Sequence, residues 1–255
     1  MIYKYYSDNS FNTDAIRHKY FWFAKHKILN DPFDMAGDFF ERFPHFLRTI
    51  KSHGYENRYR TAIQNMAICC FSKEPDNKHL WALYTNSYSG FVLGFDENCF
   101  RTELLEDHIS AKMIYHDCYY KNNIPNFDNP NIKIPNLENN AVKTPLRALI
   151  RDERNIDQIL TYYLLLKEKA TWEIEKEKRM ILGLSYICQH PMSDSGYKIN
   201  WLDNSLKEII WGYRINTEYK EMIKALLPED IIEKDISPRY SRLKYSLSIQ
   251  SCTEL

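Results

Sequence analysis

The chain predicts an α+β fold, with a mixed, largely antiparallel sheet and flanking helices. Three observations carry that expectation. Short apolar runs bounded by turn residues recur along the 255 residues and read as strands. Helical patterns lie between them without strict βαβ alternation. Only 7 glycines stand beside 19 tyrosines, 13 phenylalanines and 5 tryptophans, so aromatic side chains must supply much of the packing area.

Taken in order, residues 2–6 form the first strand, closed by Ser7, Asp8, Asn9 and Ser10, whose short polar side chains favour turns. A short helix and a strand over 20–24 follow. In Asn30-Asp31-Pro32-Phe33-Asp34 the proline pushes Asp31 out of the helical region, and the chain turns sharply. Across 36–65, Phe39, Phe40, Phe43, Phe46, Leu47 and Ile50 recur at helical spacing, with Gly54 as a break between two helices. A buried strand over 66–71 ends at Ser72. A short helix over 79–84, a buried strand over 90–95 and a strand over 111–115 come next.

Residues 119–145 hold eight asparagines and four of the ten prolines, a composition that supports neither a long helix nor an inner strand. This segment is expected as a surface insertion with few apolar anchors. A long helix is expected over 146–170, from its Ile and Leu spacing and its freedom from internal Pro or Gly. Strands over 179–182 and 208–211, a helix over 217–227 stopped by Pro228, and strands over 231–236 and 243–249 complete the pattern. The length fits a single domain over 1–255.

No run approaches the roughly 20 apolar residues that cross a bilayer, and the opening residues lack the pattern of a secretory signal, so a cytoplasmic protein is expected. Cys69, Cys70, Cys99, Cys118, Cys188 and Cys252 lack the CxxC spacing of a zinc site and read as reduced thiols. Lys plus Arg equals Asp plus Glu at 34 each, so no overall field draws the chain to nucleic acid or anionic lipid. Neither GxGxxG nor GxxxxGK[ST] is present.

The densest chemical signal is Trp172-Glu173-Ile174-Glu175-Lys176-Glu177-Lys178-Arg179. In an extended chain, the period of two places Glu173, Glu175, Glu177 and Arg179 on one face. Crowded carboxylates raise one another's pKa, while Arg179 holds its nearest partner ionised. The structural alternative is a solvated helix end in which Lys169, Glu173 and Glu177 pair at i, i+4. Trp81 and Tyr84 share a helical face, either as an aromatic wall for a flat ligand or as core. His116-Asp117-Cys118 lacks a partner cluster, and no metal is assigned.

In combination, Tyr3-Lys4-Tyr5, Asn30 to Asp34, Cys70-Phe71-Ser72, Trp81 to Tyr84 with Gly90, Gly94-Phe95-Asp96, and Trp172 with Glu175, Glu177 and Arg179 resemble the bacterial domain of unknown function family 2971, over about residues 1–213. More distantly, the element order is similar to that of ADP-ribosyltransferases. That likeness implies a catalytic carboxylate at Glu175 or Glu177 with Arg179 beside it. It also implies a stacking group at Trp81 or Tyr84, and dinucleotide contacts at Tyr3, Lys4 and Ser72. The first strand departs from that pattern, having neither His nor Arg at Tyr3-Lys4-Tyr5.

The reaction so implied consumes NAD as substrate, by transfer to a protein or nucleic-acid target or by hydrolysis, in a toxin or phage-defence effector under a regulatory partner. A carboxylate suits it because it steadies the oxocarbenium-like ribose as nicotinamide leaves. Two alternatives stay open. One is a metal-dependent nuclease using Asp31, Asp34 and Glu175 or Glu177 beside Lys176 or Lys178. The other is a non-enzymatic sensor that binds a nucleotide or partner protein in the aromatic cleft.

Overall fold

The computed structural model describes residues 1–25, 28–29, 39–98, 113–137, 139–182, 195–201, 203–240 and 245–252. The fold is α+β, built on a mixed and mostly antiparallel sheet. The expected turn at Asn30 to Asp34 lies outside the described residues, as do Cys99 and Cys188. Among the described residues, no helix is long and apolar enough to cross a membrane.

Strand β1 (Ile2–Tyr6) leads to helix α1 (Ser10–Arg17), whose first turn is capped by the Asn9 side chain accepting from the Asn12 amide. Strand β2 (Tyr20–Lys25) follows, and then three helices, α2 (Phe39–Arg42), α3 (Pro44–Ser52) and α4 (Glu56–Asn65). The expected break at Gly54 is there, in a left-handed conformation at φ 78°. A second break falls at Phe43, because Pro44 has no amide to continue α2 and instead opens α3. Strand β3 (Ala67–Ser72), helix α5 (Lys78–Tyr84), strand β4 (Phe91–Phe95) and strand β5 (Met113–Asp117) complete the first half.

The sheet forks at β3. Strand β10 (Glu177–Leu182) covers one edge of β3 along its length, from Glu177 opposite Ser72 to Leu182 opposite Ala67. The other edge is shared. There β1 meets β3 at Ser72, opposite Tyr3, whereas β2 meets it at Ile68 and Ala67. Between those contacts β1 and β2 diverge. One limb continues from β1 through β4 to β12 (Leu206–Trp211), β13 (Ile232–Tyr240) and β14 (Tyr245–Ser251), and the other passes from β2 to β11 (Gly196–Asn200). Strand β11, missed in the sequence, alternates buried Tyr197 and Ile199 with exposed Lys198 and Asn200, a period of two over too few residues to stand out. Helix α9 (Thr217–Lys224), capped by Asn216, is the crossover that lets β12 and β13 pair in parallel.

Two expectations fail, each because tertiary contacts override local composition. Residues 119–145 are not a simple surface insertion. They form strand β6 (Tyr119–Lys121) and the hairpin of β7 (Lys133–Pro135) and β8 (Lys143–Pro145). They also bury Phe127 and Ile134 in the main core. Phe127 lies 5.2 Å from Phe43, 5.5 Å from Phe39 and 5.6 Å from Tyr163, ring centre to ring centre. Next to it, Asp128 accepts from the Phe46 amide at 2.8 Å, one of the orphan donors at the start of α3.

The single helix over 146–170 is instead broken into α6 (Leu146–Leu149), a 3-10 turn at Glu153–Asn155, α7 (Ile156–Leu164), a three-residue strand β9 (Leu166–Glu168) and α8 (Lys169–Trp172). Asp152 accepts from the Arg154 amide and restarts the helix. Strand β9 is extended because it pairs in parallel with β6.

Phe127→Ala should therefore destabilise the protein by about 3–5 kcal/mol, the usual cost of emptying an aromatic core position. Urea denaturation measures it, and a loss below about 1 kcal/mol would mean that residues 119–145 do not anchor the core.

Candidate functional site

A cavity of about 450 Å³ opens at the fork. Its lining includes Phe11, Asn12 and Ala15 of α1, Leu80 and Tyr84 of α5, and Lys167, Trp172, Glu175, Glu177 and Arg179. Tyr3, Lys4 and Ser72 also line it. Lys4 reaches across the gap, where its Nζ donates to the Cys70 carbonyl at 3.1 Å. That oxygen sits on the stretch of β3 that neither β1 nor β2 pairs, so the lysine supplies a partner that the ladder does not.

The acidic motif is not one extended face. Glu173–Glu175 forms a 3-10 turn and Lys176 is left-handed at φ 48°, so the strand begins only at Glu177. Glu177 and Arg179 share a face by the period of two, whereas Glu175 arrives there through the turn. Glu173 stays on the surface, 3.9 Å from Lys169 at i, i+4, so the solvated-helix alternative holds for that residue alone. The left-handed Lys176 costs about 1 kcal/mol or more and is held by its carbonyl accepting from the Lys73 amide.

Three side chains from elsewhere fix the turn. Ser72 donates to the Glu175 carbonyl at 2.8 Å and accepts from the Glu74 amide. Asn77, which also caps α5, donates to the Ile174 carbonyl. Tyr84 donates to Glu175 Oε1 at 3.1 Å. Ser72 thus braces the turn while also lining the cavity.

Arg179 is fully buried. Its Nε donates to Glu177 Oε1 at 2.7 Å and its Nη2 to Oε2 at 3.1 Å, a two-point grip, while Nη1 donates to the Leu164 carbonyl at the end of α7. Lys167, also buried, lies 3.3 Å from Glu177 Oε2 and 4.0 Å from Glu175 Oε2, with its ammonium 4.2 Å from the centre of the Trp172 ring. The Glu177 amide donates to the Tyr120 hydroxyl at 2.7 Å.

The two carboxyls titrate apart. Burial pushes Glu175 up to about 7, and the neighbouring Glu177 charge adds to it, against the pull of Lys167, Tyr84 and Arg179. Burial works the same way on Glu177, yet Arg179 and Lys167 outweigh it and hold that carboxyl well below its ordinary value. One acid is locked ionised, and the other changes charge near neutrality.

Trp81 does not wall the cavity. It is fully buried in a separate cluster with Val92, Ile210 and Ile236, stacks on Tyr88 at 5.8 Å, and donates from Nε1 to the Pro75 carbonyl. Its role is core packing, and the indoles that line the cavity are Trp22 and Trp172. Tyr3 meets the cavity but also leans across Gly94, where an added Cβ would lie 3.0 Å from the tyrosine ring. Its hydroxyl is pushed up to about 12 by burial and by Glu208 beside it. Lys167 escapes the sequence reading because it sits in an apolar run assigned to a continuous helix. No group of three or more possible metal ligands occurs among the described residues.

Residues 80–180 match a family model described as a protein of unknown function (DUF2971). The similarity covers Tyr84, Lys167, Trp172, Glu175, Glu177 and Arg179, a narrower span than residues 1–213, and leaves out Tyr3, Lys4 and Ser72. No curated protein matches the chain. No solved structure matches it either, so the likeness to ADP-ribosyltransferases rests on element order alone.

Glu177→Gln leaves Arg179 and Lys167 buried with less counter-charge and should cost about 3–5 kcal/mol of stability. Glu175 carries a pH signature. Its folded value, about 7, lies above the ordinary 4.5. The stability it contributes is therefore complete below pH ~4.5 and lost as pH rises through ~7. Relative to Glu175→Gln, the parent should lose on the order of 3 kcal/mol between pH 5 and 8. Urea titrations of both proteins across that range test this, and a flat difference would contradict the burial of an ionisable Glu175.

Proposed function

We propose that the cavity is an active site in which Glu175 assists cleavage of the bond between nicotinamide and ribose in NAD. ADP-ribose passes to water or to an acceptor on a protein or nucleic acid. The observation that carries this reading is the division between the two buried carboxyls, Glu177 held ionised by Arg179 and Lys167 and Glu175 free to change charge near pH 7.

The chemistry follows from that division. The C1′–N bond breaks with its electron pair going to the nicotinamide nitrogen, which loses its positive charge as C1′ gains one. Ionised Glu175 would steady that cation. The same carboxylate would take the proton from the attacking water or acceptor hydroxyl as its oxygen bonds to C1′. Tyr84 holds one Glu175 oxygen and fixes the carboxyl's direction. The Trp172 indole offers a face for the departing ring. An enzyme that consumes this dinucleotide drains a shared cofactor, which suits a toxin or a phage-defence effector.

The nuclease reading gains no specific support. Asp31 and Asp34 lie outside the described residues, and Glu175 and Glu177 already sit beside Lys167 and Arg179.

Purified protein incubated with NAD should release nicotinamide, with a rate that climbs as pH rises through about 7. Glu175→Gln should lower the rate ~10²-fold or more without loss of fold. Release by Glu175→Gln at the parent rate would remove Glu175 from the mechanism. Failure of the parent to release nicotinamide with water or any candidate acceptor, together with cleavage of nucleic acid in Mg²⁺, would replace the reading with a nuclease.

A further inference from the structure

Two carboxyls that share a buried site can both ionise only if enough positive charge is buried with them. Arg179 is committed to Glu177, whose two oxygens it grips at 2.7 and 3.1 Å. Lys167 lies between the two acids, 3.3 Å from Glu177 and 4.0 Å from Glu175. We propose that Lys167 is a positioning residue whose shared ammonium lets Glu175 ionise beside the already ionised Glu177. The catalytic consequence rests on the reading of Glu175 as the working carboxylate, whereas the charge coupling itself does not.

Among the described residues, titratable groups reach Glu175 from four elements. From α5 comes the Tyr84 hydroxyl, from β10 the Glu177 and Arg179 pair, from β6 the Tyr120 phenol, and from β9 Lys167. Burial pushes the Tyr120 phenol up, so it brings no charge to the site at physiological pH. Among the described residues, the charged groups that act on Glu175 are Lys167, Arg179 and Glu177, and removing Lys167 leaves the Arg179 guanidinium to offset both acids.

The local fold places the ammonium there deliberately. A lysine on a helix continued through 164–170 would follow the helical path. Instead β9 is extended against β6, and the lysine side chain is buried, with its charged end against Trp172 and the two carboxylates. At ~4 Å, even in the screened interior, such a charge alters a neighbour's proton affinity by tenfold or more.

The test is a titration of the folded protein without substrate, using ¹³C-labelled glutamate and ¹⁵N-labelled lysine, with Glu175→Gln to assign the Glu175 carboxyl signal. Lys167→Met should raise the proton affinity of Glu175 about tenfold or more, and Lys167→Arg, which keeps the charge, should restore it towards the parent. An unchanged Glu175 midpoint in folded Lys167→Met overturns the proposal. Should that variant not fold, the parent decides: the Lys167 Nζ signal should move with the Glu175 midpoint, and a flat signal overturns the proposal equally. Neither measurement needs turnover, so failure of the NAD reading is seen separately. If the parent does release nicotinamide, the acid limb of its rate profile should move to higher pH in Lys167→Met.

Discussion

The two-point ion pair between Arg179 and Glu177 is the constraint on which the rest of the site depends. Both groups are buried, and an ion in that setting costs several kcal/mol unless hydrogen bonds answer it on every side. The surrounding elements supply those bonds. The end of α7 gives Arg179 the Leu164 carbonyl, β6 brings the Tyr120 hydroxyl to the Glu177 amide, and β9 delivers Lys167 to the carboxylate. The pair therefore holds the end of α7, where pairing with β6 draws the following residues into β9.

Around that pair the fork in the sheet makes room. Because β1 and β2 share one edge of β3 and then part, a cavity opens along β3, and the charged side chains of β10 on its other edge reach into it, with no need for a separate cleft between domains. The turn at Glu173–Glu175 and the left-handed Lys176 lift Glu175 off the strand path and aim it at Tyr84, while Ser72 and Asn77 hold the turn's backbone. Two acids two residues apart thereby occupy different environments. One is gripped by two cations and serves as structure, and the other has the neutral Tyr84 donor and shares the Lys167 ammonium at 4.0 Å, which leaves it able to exchange a proton.

Much of this was legible in the sequence. Strands such as Ile2–Tyr6 and Phe91–Phe95 stand out because their apolar runs are short and closed by turn residues. Glu175, Glu177 and Arg179 stand out because carboxylates and a guanidinium alternate beside a tryptophan. What escaped depends on contacts between distant segments. Composition marks residues 119–145 as irregular, but nothing local reveals that Phe127 fills a socket made by Phe39, Phe43 and Tyr163. Likewise Lys167 reads as one helical residue among leucines until β6 pulls it into a strand. Trp81 was misplaced for the converse reason, since an aromatic on an amphipathic helix looks the same from sequence whether it faces a ligand or the core.

What occupies the fork decides whether the cavity is an active site for NAD. A crystal structure of Glu175→Gln grown with NAD tests it most directly, since the substitution keeps the shape of the site while slowing any turnover. The dinucleotide should lie in the cavity, with its nicotinamide against Trp172 and its ribose C1′ facing the side chain at 175. NAD bound elsewhere on the protein, or an empty cavity at saturating NAD, would contradict it.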